Sequence, residues 1–288
     1  MQYARRRFLQ LAGHCSVIYA LDAAVTALGA AGRQPNRREK FARPRQNTDI
    51  HDGLAQRIKA VSNVFEVGSP EPDYAYVENL GDGRGYTVTQ YGFCTYNEEV
   101  SQVIERYAAD VPGNPLVRFL SQLPPVRWTG QRLEKFPAAW RKEVHTSALL
   151  PRACDEQADV LFFRPSLQRA ADLGLHSAVG KSIIYDTLLQ HGDADDPDSL
   201  SSIIKRTPLP RRAGDDQDGD DQSEFAFLRA FLAERLSVLK NASSPETRIA
   251  WRASTPRVDA LLTLLQVNPD LTPPIRVMNR EIDVVIPR

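Results

Sequence analysis

Cysteine is scarce in this chain, with Cys15, Cys94 and Cys154 the three in 288 residues. None stands in a C-x-x-C pair or at metal-ligand spacing, so neither a bound metal nor a cofactor is expected. Cys15 falls in an N-terminal segment that reads as a leader, which leaves Cys94 and Cys154 either to pair or to stay as isolated buried thiols. Net charge is missing too: Lys plus Arg and Asp plus Glu number 36 each. That balance favours neither nucleic acid nor an anionic membrane surface as a partner. After the leader there is no run of eighteen or more uncharged apolar residues, so no membrane span is expected in the mature protein. Internal repeats and heptad arrays are also absent. What remains is ordinary for a soluble globular protein, at 42% hydrophobic and 25% charged residues, and long enough for one large domain or two lobes.

The balanced charge is unevenly laid out. Residues 1–46 are strongly basic and residues 193–224 strongly acidic. Arg5-Arg6-Arg7-Phe8-Leu9 precedes a moderately apolar, alanine-rich stretch from Leu11 to Ala31, a pattern similar to the twin-arginine export signal. His14 and Asp22 within it leave open an N-terminal amphipathic helix that stays on the protein. The organisation expected is an export signal over 1–32, a flexible basic linker over 33–48 and the folded domain over 49–288, in a secreted, extracellular protein.

Asp49 or Thr48 can cap a helix in which Leu54, Ile58, Val61 and Phe65 recur at helical spacing; Gly68, Pro70 and Pro72 end it. Glu66 then sits in the last turn, where the helix dipole favours a cation. A carboxylate so placed is a site where a raised pKa can be arranged. Tyr74–Asn79 and Tyr86–Tyr91 alternate with period two around Gly81-Asp82-Gly83-Arg84-Gly85, which predicts a β-hairpin with a charged, glycine-rich turn. Helices are expected from about 100 to 107, 116 to 123, 138 to 148, 154 to 163, 165 to 175, 177 to 190, 200 to 206, 224 to 240, and 246 to 267 with a break at Pro256. The acidic run Gly214–Gln222 reads as solvated loop and the C-terminus as extended tail. The fold class is therefore α+β, mainly helical, with one β element.

The string F-E-x-G at 65–68, Y-A-Y-V-E-N-L-G-D-G-R-G-Y-T at 74–87 and G-F-C-T at 92–95 resembles the chitosanases of glycoside hydrolase family 46. Pro112-Gly113-Asn114, DEQADVLFFRP at 155–165, Tyr185-Asp186, His191-Gly192, the Glu224…Arg235 helix and NPDLTPPI at 268–275 extend the resemblance over about residues 50–288. It implies a lysozyme-like fold, two helical lobes with a small sheet at the cleft between them. It also implies endo-hydrolysis of β-1,4 linkages in chitosan with inversion, by a monomer whose partner is the polysaccharide. An inverting glycosidase needs one carboxyl that keeps a proton for the leaving oxygen and one carboxylate that activates water. By resemblance Glu66 is the acid, Asp82 the base and Thr87 the hydroxyl that helps hold the water.

Tyr76 and Arg84 match residues that shape the cleft floor. Asp186 and Arg235, with one of Arg206, Arg211 and Arg212, match a buried charge network that tunes the acid. Glu99 falls where a substrate-binding Asp belongs, at the end of Thr95-Tyr96-Asn97-Glu98-Glu99 in place of a small glycine-rich loop. Glu78, Glu98, Glu99 and Glu224 are the acids expected near the cleft, suiting a polycation. Trp140 and Trp251 are expected to pack the core. The rivals are a lysozyme- or chitinase-like hydrolase of N-acetylated polymer and a non-catalytic chitosan-binding relative.

Overall fold

The computed structural model describes residues 52–81, 83–125, 133–208 and 217–287. The expected leader and linker, Asp82, Arg211 and Arg212 lie outside the described residues. Helix α1 spans Asp52–Val67 and buries Ile58, Val61, Val64 and Phe65 completely. Gly68 ends it at φ 71°, a left-handed conformation that a Cβ would penalise, and its N–H closes on the Val64 carbonyl at 3.0 Å.

Three short antiparallel strands follow, β1 (Val77–Asn79), β2 (Tyr86–Val88) and β3 (Phe93–Cys94), in the order β1-β2-β3. Glu78 pairs with Thr87, and Thr87 in turn with Cys94. The strands are shorter than the alternating runs in the sequence. Before β1 and at its first residue, side chains take up backbone carbonyls: Trp140 Nε1 donates to that of Tyr74 at 2.9 Å and Arg141 to that of Val77 at 2.7 Å. Gly81, Gly83 and Gly85 hold φ near 75–81° across the turn. That is why the loop is glycine-rich.

Helix α2 (Glu98–Asp110) is N-capped by Asn97, whose side chain accepts from Glu99 N. A 3₁₀ turn (Val117–Gln122) and α3 (Phe136–Thr146) lead to α4 (Leu149–Ala158). Helix α4 passes through a π turn (Asp159–Phe163) into α5 (Arg164–Asp172). Pro165 lacks the N–H that an unbroken α-helix would need there. Lys59 of α1 pairs with Asp159 on this turn at 2.5 Å.

Helix α6 (Ala178–His191) is the centre of the molecule, buried on every side except at Lys181. It packs against α1, α5, α7 (Leu200–Arg206) and α10 (Pro256–Val267). Helix α8 (Gln217–Lys240) lies against α7, α9 (Pro245–Ala253) and α10. Two expectations are corrected here. Helix α8 begins at Gln217, inside the acidic run expected to be loop. Acidic residues complement a helix N-terminus, so the run is compatible with a first turn. The C-terminus is not an extended tail but a second β element, with β4 (Ile275–Met278) paired antiparallel to β5 (Asp283–Ile286). Ile275, Val277 and Ile286 turn inward, and the exposed face carries the Arg276–Asp283 pair at 2.7 Å. Trp140 and Trp251 pack the core as expected, and Cys94 and Cys154 are buried thiols not joined to each other.

Candidate active site

Glu66 occupies the last turn of α1 and is 5% exposed. A buried carboxylate at the negative end of a helix needs a cation, and Arg257 supplies it. Its Nη2 donates to Glu66 Oε1 across 191 residues of sequence. Arg257 sits in the first turn of α10, where a cation is as misplaced against the helix dipole as an acid is at the end of α1. Bringing the two ends together cures both. The guanidinium also lies over the Phe65 ring, 5.1 Å from its centroid.

Behind this pair stands a second one. Arg235 of α8 and Asp186 of α6, both fully buried, meet at 2.8 Å, and Arg257 Nε lies 3.8 Å from the same Asp186 oxygen. Glu66, Arg257, Asp186 and Arg235 thus alternate in sign from four different helices. Burial pushes the Glu66 carboxyl up from its ordinary value, and Asp186 adds to the rise. Arg257 and Arg235 oppose the rise without cancelling it. The balance leaves the Glu66 carboxyl easier to protonate than an ordinary glutamate, with the Arg257 guanidinium against it.

Among the described residues the arginine that joins this pair is Arg257, which was not among the three expected; of those, Arg211 and Arg212 lie outside the described residues. Arg206 is at the surface, paired with Glu234 at 3.4 Å and donating to the Pro197 carbonyl at 2.8 Å. Sequence reading passed over Arg257. A lone arginine in the first turn of an otherwise apolar helix was its only signal.

On the sheet, the buried Thr87 hydroxyl lies 3.7 Å from Cys94 Sγ. Half-buried Tyr76 donates its hydroxyl to Glu78 Oε2 at 3.2 Å. The Arg84 carbonyl accepts from Thr95 Oγ1 at 3.4 Å, and Thr95 Oγ1 accepts from Tyr86 N at 2.9 Å, which ties the glycine turn to the strand after it. Glu98 is exposed. Glu99 is turned inward: only 8% exposed, it accepts from Cys94 N at 2.9 Å. Burial raises its carboxyl to about 6 against the pull of the Cys94 N–H, Asn97 and Arg84.

Glu224 is set apart from all of these. Both its oxygens are used at the start of α6, accepting from His176 N at 2.9 Å, Ser177 N at 3.1 Å and Ser177 Oγ at 2.5 Å. A Cβ on Gly180 would come within 2.7 Å of it, so glycine makes this cap possible. The expectation of a substrate-facing Glu224 is therefore corrected to a structural cap, about 13 Å along α6 from Asp186 at 1.5 Å per residue. Sequence reading also missed Asp155, which accepts the hydroxyls of Tyr74 at 2.8 Å and Tyr91 at 2.6 Å and so fastens the hairpin to α4. Among the described residues no group of three or more His, Cys, Asp and Glu is placed to hold a metal.

The mainly helical, lysozyme-like fold, with a buried carboxyl of raised pKa set among paired arginines, is that of a glycoside hydrolase. Among solved structures, that of native chitosanase from Bacillus subtilis MY002 matches with a TM-score of 0.71 and 35% identity, covering 82% of this chain and 99% of that one. The Gynuella sunshinyii chitosanase in complex with chitotetraose matches with a TM-score of 0.71 and 32% identity, over 83% of this chain and 100% of that one. The chitosanase of Bacillus subtilis (strain 168) is 36% identical over 231 residues, 78% of this chain and 82% of that protein. The family model for glycosyl hydrolase family 46 matches residues 60–275. The chain belongs to that family.

Proposed function

We propose that this family 46 hydrolase is an endo-acting chitosanase that cuts β-1,4 linkages of polyglucosamine with inversion, Glu66 serving as general acid and Asp82 as the base that activates water. The observation that carries this reading is the state of Glu66. Its burial keeps a proton on at pH values where an ordinary glutamate has lost it. The Arg257 guanidinium on the same carboxyl stabilises the anion that remains after transfer to the leaving oxygen. Asp186 in turn neutralises part of Arg257, so that the cation does not strip the proton beforehand.

In the sequence Asp82 falls between Gly81 and Gly83, two residues before Arg84, and an ordinary aspartate is ionised at neutral pH, as a base must be. Thr87, opposite Glu78 on the neighbouring strand, is the hydroxyl assigned to the attacking water. Substrate choice follows from relatives whose solved complexes hold chitotetraose and six GlcN.

The test is the anomer released from glucosamine oligomers, followed by NMR in the first minutes of reaction. The α-product at the outset is expected, and a β-product would rule out inversion. Glu66→Gln should lower kcat by roughly 10²–10⁴-fold with the fold retained, the usual contribution of one positioned proton donor. Activity within tenfold of wild type would remove Glu66 from its role, and turnover of colloidal chitin above that of chitosan would overturn the substrate.

A further inference from the structure

The last two residues of α6 complete the buried charge cluster from behind. Gln190 and His191 are each about 3% exposed, and both address Arg235. Arg235 Nη2 donates to Gln190 Oε1 at 2.6 Å, alongside its contact with Asp186 Oδ2 at 2.8 Å. Asp186 and Gln190 are four residues apart and share a helix face, so one guanidinium nitrogen is held between them. Arg235 Nε donates to His191 Nε2 at 3.3 Å.

The proton positions follow from donor and acceptor chemistry. His191 Nδ1 faces the Asp198 carbonyl at 2.9 Å, and a carbonyl only accepts, so Nδ1 carries the hydrogen. Nε2 is then bare and accepts from Arg235, which only donates. Protonating the ring would set N–H against N–H, and burial with the neighbouring Arg235 holds His191 neutral. The ring is fixed edge-on against Trp251, centroids 4.6 Å apart.

Gln190 is equally constrained. Its oxygen must face Arg235, so its nitrogen points away and donates to Ser254 Oγ at 2.8 Å. Ser254 Oγ donates to the Trp251 carbonyl at 2.8 Å, and the Ser254 carbonyl accepts from Arg257 N at 3.0 Å. One amide therefore joins the side chain of Arg235 to the backbone from which Arg257 departs.

We infer that Gln190 and His191 are positioning residues for the acid: together they fix Arg235 against Asp186 and, through Ser254, set the root of Arg257, so that the two arginines hold Glu66 in one geometry and one charge balance. This rests on Glu66 being the acid. Among the described residues the charged and titratable groups around Glu66 are Arg257 from α10, Asp186 and Tyr185 from α6 and Arg235 from α8, with Tyr185 a neutral phenol and His191 neutral behind them. A neutral Gln190 leaves that balance undisturbed. A carboxylate in its place, ionised against Arg235, would add a negative charge and raise the Glu66 pKa. Since an acid works only while protonated, activity at high pH would then persist further.

The experiment compares Gln190→Glu, Gln190→Leu, His191→Phe and His191→Gln with wild type on glucosamine oligomers, measuring kcat and KM from pH 4 to 8.5 and thermal midpoints. Gln190→Glu should move the alkaline limb of kcat up by about half a pH unit or more. Gln190→Leu and His191→Phe should lower kcat by about tenfold with KM little changed, because they misplace the acid and not the substrate. His191→Gln, which restores an acceptor for Arg235 Nε, should recover most of the loss. Should Gln190→Glu fail to fold, the Leu and Phe variants with the His191→Gln rescue decide the matter. An unmoved limb in folded Gln190→Glu, or kcat within twofold of wild type in both Gln190→Leu and His191→Phe, overturns the inference. Failure of the underlying reading looks different: Glu66→Gln would itself stay active.

Discussion

Removing the Arg257 guanidinium while keeping its length, as in Arg257→Met, tests the buried cluster where it meets the chemistry. Methionine keeps an aliphatic stem and a sulfur over the Phe65 ring. It leaves Glu66 without its cation and Asp186 with Arg235 alone, at 2.8 Å. Stripping one partner from a buried pair costs about 3–5 kcal/mol. With an unfolding entropy near 2.1 cal/mol/K per residue, about 0.5 kcal/mol/K for a domain of this size, the melting midpoint should fall by roughly 6–10 °C.

That loss should depend on pH, and the sign is fixed by Glu66. Its folded pKa is already raised, so its favourable contribution is present below the unfolded value and is lost as pH rises through the folded one. Without Arg257 the folded value rises further. At low pH both forms hold the carboxyl neutral and the gap narrows, whereas at high pH the variant buries an unpaired anion or keeps a proton at a cost, and the gap widens. Thermal unfolding by circular dichroism from pH 4 to 8.5 reads the gap, and kcat over the same range should show the alkaline limb displaced upward. A midpoint difference constant with pH, together with an unmoved limb, would show that Arg257 does not govern the Glu66 proton.

Other positions give independent checks. Glu99, raised to about 6 by burial, should cost the fold about 2 kcal/mol as pH climbs from 4.5 through that value, so Glu99→Gln should gain on wild type by that amount in denaturation at pH 7.5 relative to pH 4. A gap that ignores pH would place the carboxylate in solvent, and a salt-sensitive rise in KM on deacetylated oligomers would return it to the substrate. Tyr91→Phe removes a charge-assisted bond to Asp155 and should cost about 1.5–3 kcal/mol in urea unfolding. The double variant with Tyr74→Phe should lose more than the sum, since it leaves Asp155 with neither hydroxyl; strict additivity would refute that shared role. The twin-arginine reading predicts that replacing Arg5 and Arg6 together by Lys traps active enzyme inside the cell, and unchanged secretion would defeat that reading.

By itself the sequence determined the local frame of the site. The spacing of Ile58, Val61 and Phe65 places Glu66 in a closing helical turn, because period and a following Gly68 are local facts. The three glycines of the hairpin turn were legible for the same reason, as was the family, carried by contiguous strings. The partners of a buried group were not legible. Periodicity tells which face is covered, never what covers it, and Glu66 meets Arg257 only after 191 intervening residues have folded. The same blindness sent Glu224 to the cleft on its charge, although Gly180 and the start of α6 draw it inward. It also left the last strands as a tail, since β4 and β5 are defined by pairing with each other and by the core beneath Ile275 and Val277. Tertiary structure decided which misplaced charges meet, because only apposed helix ends can turn a lone buried acid and a lone buried arginine from two penalties into one balanced pair.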